Sequence, residues 1–185
     1  RKLGAGEYVR VNLKNGAVEK PVRYWQLSLD SPSPFKSLNE ASEALDQTFG
    51  ESVHRHLIAD VPVGILLSSG LDSTAVATYA QLDGSRSMQT FTAGFNDDES
   101  EGAAGVQVSS NLHLDHSLVV LEPADLLDNL DRIAWHMDEP IGDPAAFALY
   151  RLCATAHGHV KVLLVGEGAD ELFAGYNQRY GGILR

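Results

Sequence analysis

Basic residues are scarce in this sequence, and their scarcity argues against one large class of partners. The 185 residues include 14 Lys and Arg against 25 Asp and Glu, which gives a net charge of −11 at pH 7. A surface of this sign repels a phosphate backbone, so we expect no nucleic-acid partner. An anionic ligand would instead be held locally, by backbone N–H groups, a helix N-terminus and a divalent cation.

Cysteines and long apolar runs are nearly absent as well. Cys153 is the single cysteine, which excludes a disulfide framework and a cysteine-spaced metal site and makes a reducing cytoplasm the expected location. No apolar run approaches the roughly 18 to 20 residues of a membrane span, and the first residues lack a signal peptide's apolar core, so we expect no membrane partner. The sequence does not begin with methionine, from which we expect it to be part of a longer chain.

The first thirty residues have a pattern of their own. Residues 7–11 alternate in polarity, Asn15-Gly16 is a strong hairpin turn, and residues 22–25 supply a return strand. The Ser/Pro-rich stretch 31–34 that follows is typical of a linker. We therefore predict two parts, residues 1–30 and residues 31–185.

Helical and strand-like patterns alternate after this linker. Apolar residues at helical spacing predict helices, and continuous apolar runs predict strands buried on both faces. The predicted helices span residues 38–57 (with Asn39 as cap), 73–82, 99–112, 123–136 and 144–156, and the predicted strands span 63–67, 88–95, 115–120 and 160–165. This order predicts a doubly wound α/β fold, in which a parallel sheet carries flanking helices and ligands bind beyond the carboxyl ends of its strands.

The turn after the first buried strand has the composition of a phosphate cradle. Three hydroxyls, those of Ser68, Ser69 and Ser73, surround Gly70 at a helix start, where free N–H groups favour negative charge. An ordinary capped turn has a similar composition and stays an alternative. The charged member, Asp72, is an acid where a Walker loop has lysine, and an acid beside phosphates indicates a ligand for Mg2+.

A second unusual turn follows the last predicted strand. Residues 166–176 contain three acids, Glu167, Asp170 and Glu171, between glycines. A run of acids is most often a solvated surface. Its position directly behind a buried strand favours a site instead, because this is the edge at which ligands of such sheets bind.

Both turns resemble motifs of one enzyme family. Residues 68–73 resemble the pyrophosphate-binding loop of the ATP pyrophosphatase superfamily, with Ser69 in place of a glycine. Residues 166–176 resemble the signature of the asparagine synthetase family, with Ala174 in place of a glycine and Val165 where relatives often have serine. The resemblance implies an adenine nucleotide alpha hydrolase-like fold that uses ATP and Mg2+.

The resemblance also implies roles for individual residues. Glu167 would assist formation or aminolysis of an acyl-adenylate, and Asp72 and Asp170 would hold the cation. The implied nucleotide contacts are Leu66, Ser68, Ser69, Gly70, Leu71, Asp72, Ser73, Ala93, Val165 and Gly166. Leu66 and Ala93 are apolar strand residues for which plain core packing is an equal alternative.

The implied reaction converts aspartate to asparagine. The side-chain carboxylate of aspartate attacks the α-phosphate of ATP to form β-aspartyl-AMP, and ammonia then displaces AMP. In the family, ammonia comes from glutamine through a separate glutaminase domain. Residues 3–27 of this chain resemble the last hairpin of that domain. We expect this chain to bind ATP weakly and to make no asparagine alone, and a homodimer is one expectation for the full-length protein.

Other readings of the same residues stay open. A related amidotransferase or a β-lactam-forming synthetase would use another acyl substrate, and a nucleotide-binding module or a plain structural domain would have no chemistry. Asp143 is the predicted cap of a helix that begins with Pro144, and Asp138 or Glu139 could have a substrate-side role. His116 is expected to pack or form a hydrogen bond at a strand start. The acidic stretch 97–99, which includes Glu99, is expected to begin a helix, with contact to a ribose as the alternative.

Overall fold

A computed structural model describes residues 2–28, 32–82, 84, 88–95, 101–139 and 141–176. The chain forms two compact units, residues 1–45 and residues 46–185. The domain boundary predicted between residues 30 and 31 and the acidic stretch 97–99 lie outside the described residues. Among the helices of the described ranges, none is long and apolar enough to cross a membrane.

The first unit contains the predicted hairpin. Strand β1, Glu7–Tyr8, pairs antiparallel with β2, Val22–Arg23, and an isolated bridge joins Val11 to Val18. Gly16 has a φ of 70°, the left-handed conformation that favours glycine in such turns. The hairpin is therefore confirmed, although its strands are shorter than predicted.

Helix α1, Leu38–Leu57, has the predicted bounds but a different cap. The Ser37 hydroxyl accepts a hydrogen bond from the N–H of Glu40 at 3.2 Å, and the Glu40 carboxylate accepts one from the N–H of Lys36 at 2.8 Å. The assignment of Asn39 as the cap is wrong, because Asn39 lies inside the first turn. The two bonds resemble a capping box, for which Ser37 and Glu40 had the required spacing.

The second unit contains a four-stranded parallel sheet with flanking helices. Its strands are β3, Val63–Leu66; β4, Gln89–Gly94; β5, Asp115–Val120; and β6, Val162–Leu164. Its further helices are α2, Leu71–Leu82; α3, Glu101–Asn111; α4, Pro123–Met137; α5, Ala145–Ala156; and α6, Ala169–Phe173. The strand order is β5-β4-β3-β6, which confirms the predicted fold class.

The core explains why the sheet keeps this order. Ile65 of β3 and Phe91 of β4 are fully buried, and Val76 of α2 packs against the β3 side while Ala156 of α5 packs against Phe91. Burying such side chains stabilises the unit by about 1.5–3 kcal/mol each. The central strands β3 and β4 are thus buried on both faces, although β4 places the polar residues Thr90 and Thr92 on the face opposite Phe91.

Two boundaries differ from the predictions near the unusual turns. Helix α2 begins at Leu71, two residues before the predicted start, so Asp72 and Ser73 belong to its first turn. Strand β6 is shorter than predicted, and the five-residue helix α6, Ala169–Phe173, was not predicted. Both unusual turns therefore lead into helix N-termini at the carboxyl edge of the sheet.

Candidate functional site

The candidate site lies where the strand order changes direction. From β3 the chain passes through α2 to β4 on one side, whereas β6 pairs with β3 on the other side. The turns after β3 and β6 therefore leave adjacent parallel strands at the same edge. Such a switch point opens a crevice at the carboxyl ends of the strands, where open α/β sheets bind their ligands.

The turn after β3, residues 68–73, is cross-linked by one hydroxyl. Ser73 Oγ lies 2.8 Å from Ser68 Oγ and accepts a hydrogen bond from the Ser68 N–H at 3.1 Å. It also lies 3.3 Å from the Ser68 carbonyl oxygen and 3.2 Å from that of Gly70. Ser73 is buried, and the hydroxyl of Ser68 further accepts from the Gly70 N–H at 3.1 Å. Ser73 therefore holds the shape of this turn.

Several N–H groups of the same turn have no partner. Within the described part of the chain, the N–H groups of Ser69, Leu71, Asp72 and Ser73 form no hydrogen bond, whereas Thr74 N–H bonds to the Gly70 carbonyl at 3.1 Å. Unpaired N–H groups at a helix start carry partial positive charge. An anion cradle needs such groups, but an ordinary helix start has them too, so the phosphate-binding role of residues 68–73 stays a prediction.

The two turns come into close contact at Gly166. A Cβ added at Gly166 would lie 2.9 Å from the Ser73 nitrogen and 3.1 Å from the Asp72 carbonyl carbon. Any side chain at this position would press on backbone atoms of the α2 N-terminus. Gly166 is therefore the residue that lets the turn after β6 approach the turn after β3.

The turn after β6, residues 166–176, is shaped by backbone conformation. Gly168 has a φ of 91° and Ala174 a φ of 57°, so both ends of α6 are left-handed. The N–H of Gly175 bonds to the Asp170 carbonyl at 3.0 Å, and Tyr176 donates its hydroxyl proton to the Glu171 carboxylate at 2.8 Å. This second turn thus folds back on α6, while Glu167 stays exposed at its start.

Asp72 lies in the first turn of α2 and Asp170 in the first turn of α6, and both are candidate ligands for a cation. Both are half-buried, and neither carboxylate has a hydrogen bond or an ion pair among the described residues. No group of three metal-ligating side chains occurs in the described ranges. This donor set fits Mg2+, which is usually held by one or two carboxylates plus substrate phosphates.

The remaining predicted contacts divide into core and surface residues. Leu66 packs against the core cluster that contains Phe91, and Ala93 packs against the core cluster that contains Val119. A ligand at the carboxyl ends of the strands would therefore meet their backbones and not their side chains. Leu71 is 83% exposed and Val165 is 45% exposed, which leaves both side chains open to a ligand. Ser69 is exposed and does not adopt a positive φ, so serine is compatible with its conformation.

Asp138 and Asp143 both lie next to helix ends. Asp138, with a φ of 61°, is the left-handed C-cap of α4, and the Asp143 carboxylate accepts a hydrogen bond from the Ala145 N–H at 2.9 Å. The Asp143 carboxylate thus bonds at the helix start, but α5 begins at Ala145 with Pro144 as its N-cap residue, one residue later than predicted. The substrate-side role suggested for Asp138 or Glu139 stays a prediction.

His116 forms the hydrogen bond that was expected at a strand start. Its Nδ1 lies 2.8 Å from Thr90 Oγ1, and Thr90 in turn bonds to Ser109 and to the Asp115 carbonyl oxygen. Its Nε2 is buried and unpaired in the described residues. Burial lowers the pKa of His116 from its usual value of 6.5, because the charged ring would lose hydration.

Sequence reasoning missed one residue with a specific contact. Gly175 lies against Asp170, with a Cβ at this position 1.8 Å from Asp170 Oδ1. The sequence did show two consecutive small residues, Ala174 and Gly175, a pattern that indicates a tight turn. Nothing in the sequence indicated which side chain would fill the space.

The chain matches one protein-family model and is similar to curated proteins of the same name. Residues 44–184 match the family model described as asparagine synthase. The chain is 41% identical over 131 residues to asparagine synthetase [glutamine-hydrolyzing] 1 of Bacillus subtilis, an alignment that covers 69% of this chain and 20% of the relative. It is 36% identical over 184 residues to a putative asparagine synthetase [glutamine-hydrolyzing] of Mycobacterium bovis, covering 95% of this chain and 27% of the relative. The chain thus spans only about a fifth to a quarter of these relatives.

One solved structure has a similar fold. It is an NH3-dependent NAD synthetase from Campylobacter jejuni in complex with the nitrate ion, which matches with a TM-score of 0.50 and 13% identity. The match covers 72% of this chain and 60% of that structure. At this identity the likeness supports the fold assignment alone, a parallel sheet with flanking helices.

Proposed function

Because the chain belongs to the asparagine synthase family, we propose that it is the ATP-binding part of an enzyme that amidates aspartate to asparagine. The proposal rests on one observation. Two turns with acidic residues meet at the switch point of a parallel sheet, and Gly166 brings one against the N-terminus of α2. Residues 31–185 would then be the first part of a synthetase domain, and residues 1–30 the end of a glutaminase domain.

In the proposed site, residues 68–73 bind the phosphates of ATP. The unpaired N–H groups of Ser69, Leu71, Asp72 and Ser73 supply donors, and the dipole of α2 adds partial positive charge. The internal hydrogen bonds of Ser73 keep these donors in place before the ligand arrives. Such preorganisation matters because donors that need not reorient stabilise developing charge most effectively.

Asp72 and Asp170 would hold Mg2+ at the phosphates. When bound, the cation neutralises the charge that develops on the departing pyrophosphate. Without the cation, the two carboxylates would repel the phosphates of the nucleotide. With the cation bound, this repulsion is removed. A cation requirement for ATP binding is therefore part of the proposal.

Glu167 is the proposed catalytic residue. It is exposed at the start of the second turn, next to Gly166, where it can reach a substrate bound over the phosphates. There it would assist formation of β-aspartyl-AMP or its attack by ammonia. Glutamine is the proposed ammonia source, through a part of the protein outside this chain.

Two experiments test the proposal. Equilibrium dialysis of the 185-residue chain with ATP and Mg2+ should detect binding that Asp72→Asn and Asp170→Asn weaken, whereas Asp128→Asn, an exposed acid on α4, leaves it unchanged. In a full-length protein carrying this sequence, Glu167→Gln should lower aspartate-dependent ATP–pyrophosphate exchange by about 100-fold or more. Exchange with another carboxylic acid but not with aspartate would reject aspartate as the substrate. Unchanged exchange together with unchanged asparagine formation in Glu167→Gln would reject the catalytic role.

A further inference from the structure

The space beside Gly175 is filled by the carboxylate of Asp170. A Cβ built at Gly175 would lie 1.8 Å from Asp170 Oδ1 and 2.9 Å from its Cγ. The nearest backbone atom, Asp170 Cα, would be 3.3 Å away, which is tight but needs only a small adjustment. The side chain that a new methyl group would displace is thus the Asp170 carboxylate.

Two further contacts hold Gly175 beside this carboxylate. The Gly175 N–H bonds to the Asp170 carbonyl at 3.0 Å, and Ala174 turns the chain back with its φ of 57°. Gly175 itself does not have a positive φ, so its backbone conformation is open to alanine. Glycine is therefore required here by the neighbouring side chain and not by the backbone.

We infer that Gly175 is a positioning residue for Asp170: the missing side chain leaves the space in which the Asp170 carboxylate lies when it holds the cation. The inference rests on the proposed role of Asp170 as a cation ligand. Asp170 has no hydrogen-bond or ion-pair partner in the described residues that would orient it otherwise. Its direction is therefore not fixed by a polar partner among the described residues, and the space left open at Gly175 is where its Oδ1 lies.

The test uses Mn2+ as a paramagnetic probe in place of Mg2+. Binding of Mn2+ to the 185-residue chain in the presence of ATP is measured by electron paramagnetic resonance for the unmodified chain, Gly175→Ala, Asp170→Asn and the double variant. Gly175→Ala should weaken Mn2+ binding by about 10-fold, as changes in the surroundings of a metal ligand commonly do. In the Asp170→Asn background, the same substitution should have no further effect.

Gly158→Ala is the matched control. Gly158 lies in the turn before β6, where a Cβ would have no neighbour closer than 4.0 Å, so Mn2+ binding should be unchanged. Gly175→Ala should lower the thermal midpoint by no more than about 2–4 °C, because the methyl group displaces one side chain and needs only a small backbone adjustment.

The outcomes separate this inference from the proposed function. If Asp170→Asn weakens Mn2+ binding and Gly175→Ala does not, or if Gly175→Ala acts equally in the Asp170→Asn background, the positioning role is rejected. If Gly175→Ala fails to fold, the contact is structural and the inference is likewise overturned. If the unmodified chain shows no ATP-dependent Mn2+ binding, the proposed function fails and the inference fails with it.

Discussion

The turn after β3 and the turn after β6 lie side by side at one edge of the sheet, but they keep their shapes by different means. Residues 68–73 contain no positive φ and are cross-linked through the hydroxyl of Ser73. Residues 166–176 have two left-handed residues and close contacts at Gly166 and Gly175. The first turn depends on the hydroxyl of Ser73, and the second depends on the absence of side chains at Gly166 and Gly175.

This difference determines what substitutions will reveal. In the first turn, removal of a hydroxyl leaves donors and acceptors without partners while the backbone remains free to follow the same path. In the second turn, addition of a methyl group forces atoms apart. The two turns should therefore respond to opposite kinds of change, and their shared contact at Gly166 should be the most sensitive point.

Gly166→Ala should have the largest effect. Its methyl group would lie 2.9 Å from the Ser73 nitrogen and 3.1 Å from the Asp72 carbonyl carbon, and backbone atoms cannot rotate away as side-chain atoms can. We expect a loss of about 1–3 kcal/mol in the free energy of unfolding, as overpacked sites show, together with loss of ATP binding. Urea denaturation and equilibrium dialysis measure the two quantities.

The control for this substitution is Gly158→Ala, for which the new methyl group has open space. A stability loss in Gly158→Ala equal to that in Gly166→Ala would mean that glycine replacement in general, and not the contact between the turns, causes the effect. ATP binding retained in Gly166→Ala would show that the two turns need not touch.

Ser73→Ala should have the next largest effect. It leaves the partly buried Ser68 N–H without its acceptor, which should cost about 1–2 kcal/mol in the free energy of unfolding. ATP should also bind more weakly, because the donors of the turn would no longer be held in place. Urea denaturation with and without ATP measures both effects.

Ser110→Ala on the exposed face of α3 is the matched control and should be neutral or slightly stabilising. If Ser73→Ala binds ATP with unchanged affinity, the hydroxyl does not organise the N–H groups of residues 68–73. The first turn then does not depend on Ser73 for ligand binding.

The same contrast explains what could be predicted from the sequence. The bounds of α1 and β5 follow from their periodicity and were predicted to the residue. The sequence also indicated which two turns lie at the sheet edge, because each follows an apolar strand. The five-residue helix α6, Ala169–Phe173, is too short to show periodicity, and its ends depend on left-handed residues at 168 and 174.

Contacts between distant parts of the chain were beyond sequence reasoning. Gly166 could be assigned to a ligand by its motif, but its contact with the α2 N-terminus depends on β6 pairing with β3. Ser73 was predicted as a phosphate contact, and the sequence did not indicate that its hydroxyl forms hydrogen bonds within the turn. Periodicity describes which face is buried, and it carries no information about which loops meet.

Ala174→Gly is expected to change stability in the opposite direction. Ala174 has a φ of 57°, a conformation that costs a residue with a Cβ about 1–2 kcal/mol. Glycine removes this strain but gains unfolded-state entropy, so the net increase in the free energy of unfolding should be about 0.5–1 kcal/mol. Urea denaturation measures the increase.

Ala154→Gly is the matched control, because Ala154 is exposed within α5 and should lose about 0.5–1 kcal/mol on the same replacement. Equal losses at both positions would show that the turn after β6 does not depend on its left-handed backbone.

The smallest effect is expected from a third hydrogen-bonded region, around His116. Thr90, itself bonded to Ser109, contacts its Nδ1, but its Nε2 is buried and has no partner in the described residues. The pKa of His116 is lowered in the folded protein by burial, so the unfolded state binds more protons as the pH falls through 6.5. Stability should therefore decrease below pH 6.5 and level off below the folded pKa.

His116→Gln should reduce this pH dependence in urea titrations, and exposed His157→Gln should not. Because the ring is only partly buried, solvent screens the effect, and a pH dependence unchanged by His116→Gln would mean that the unpaired nitrogen is hydrated in solution.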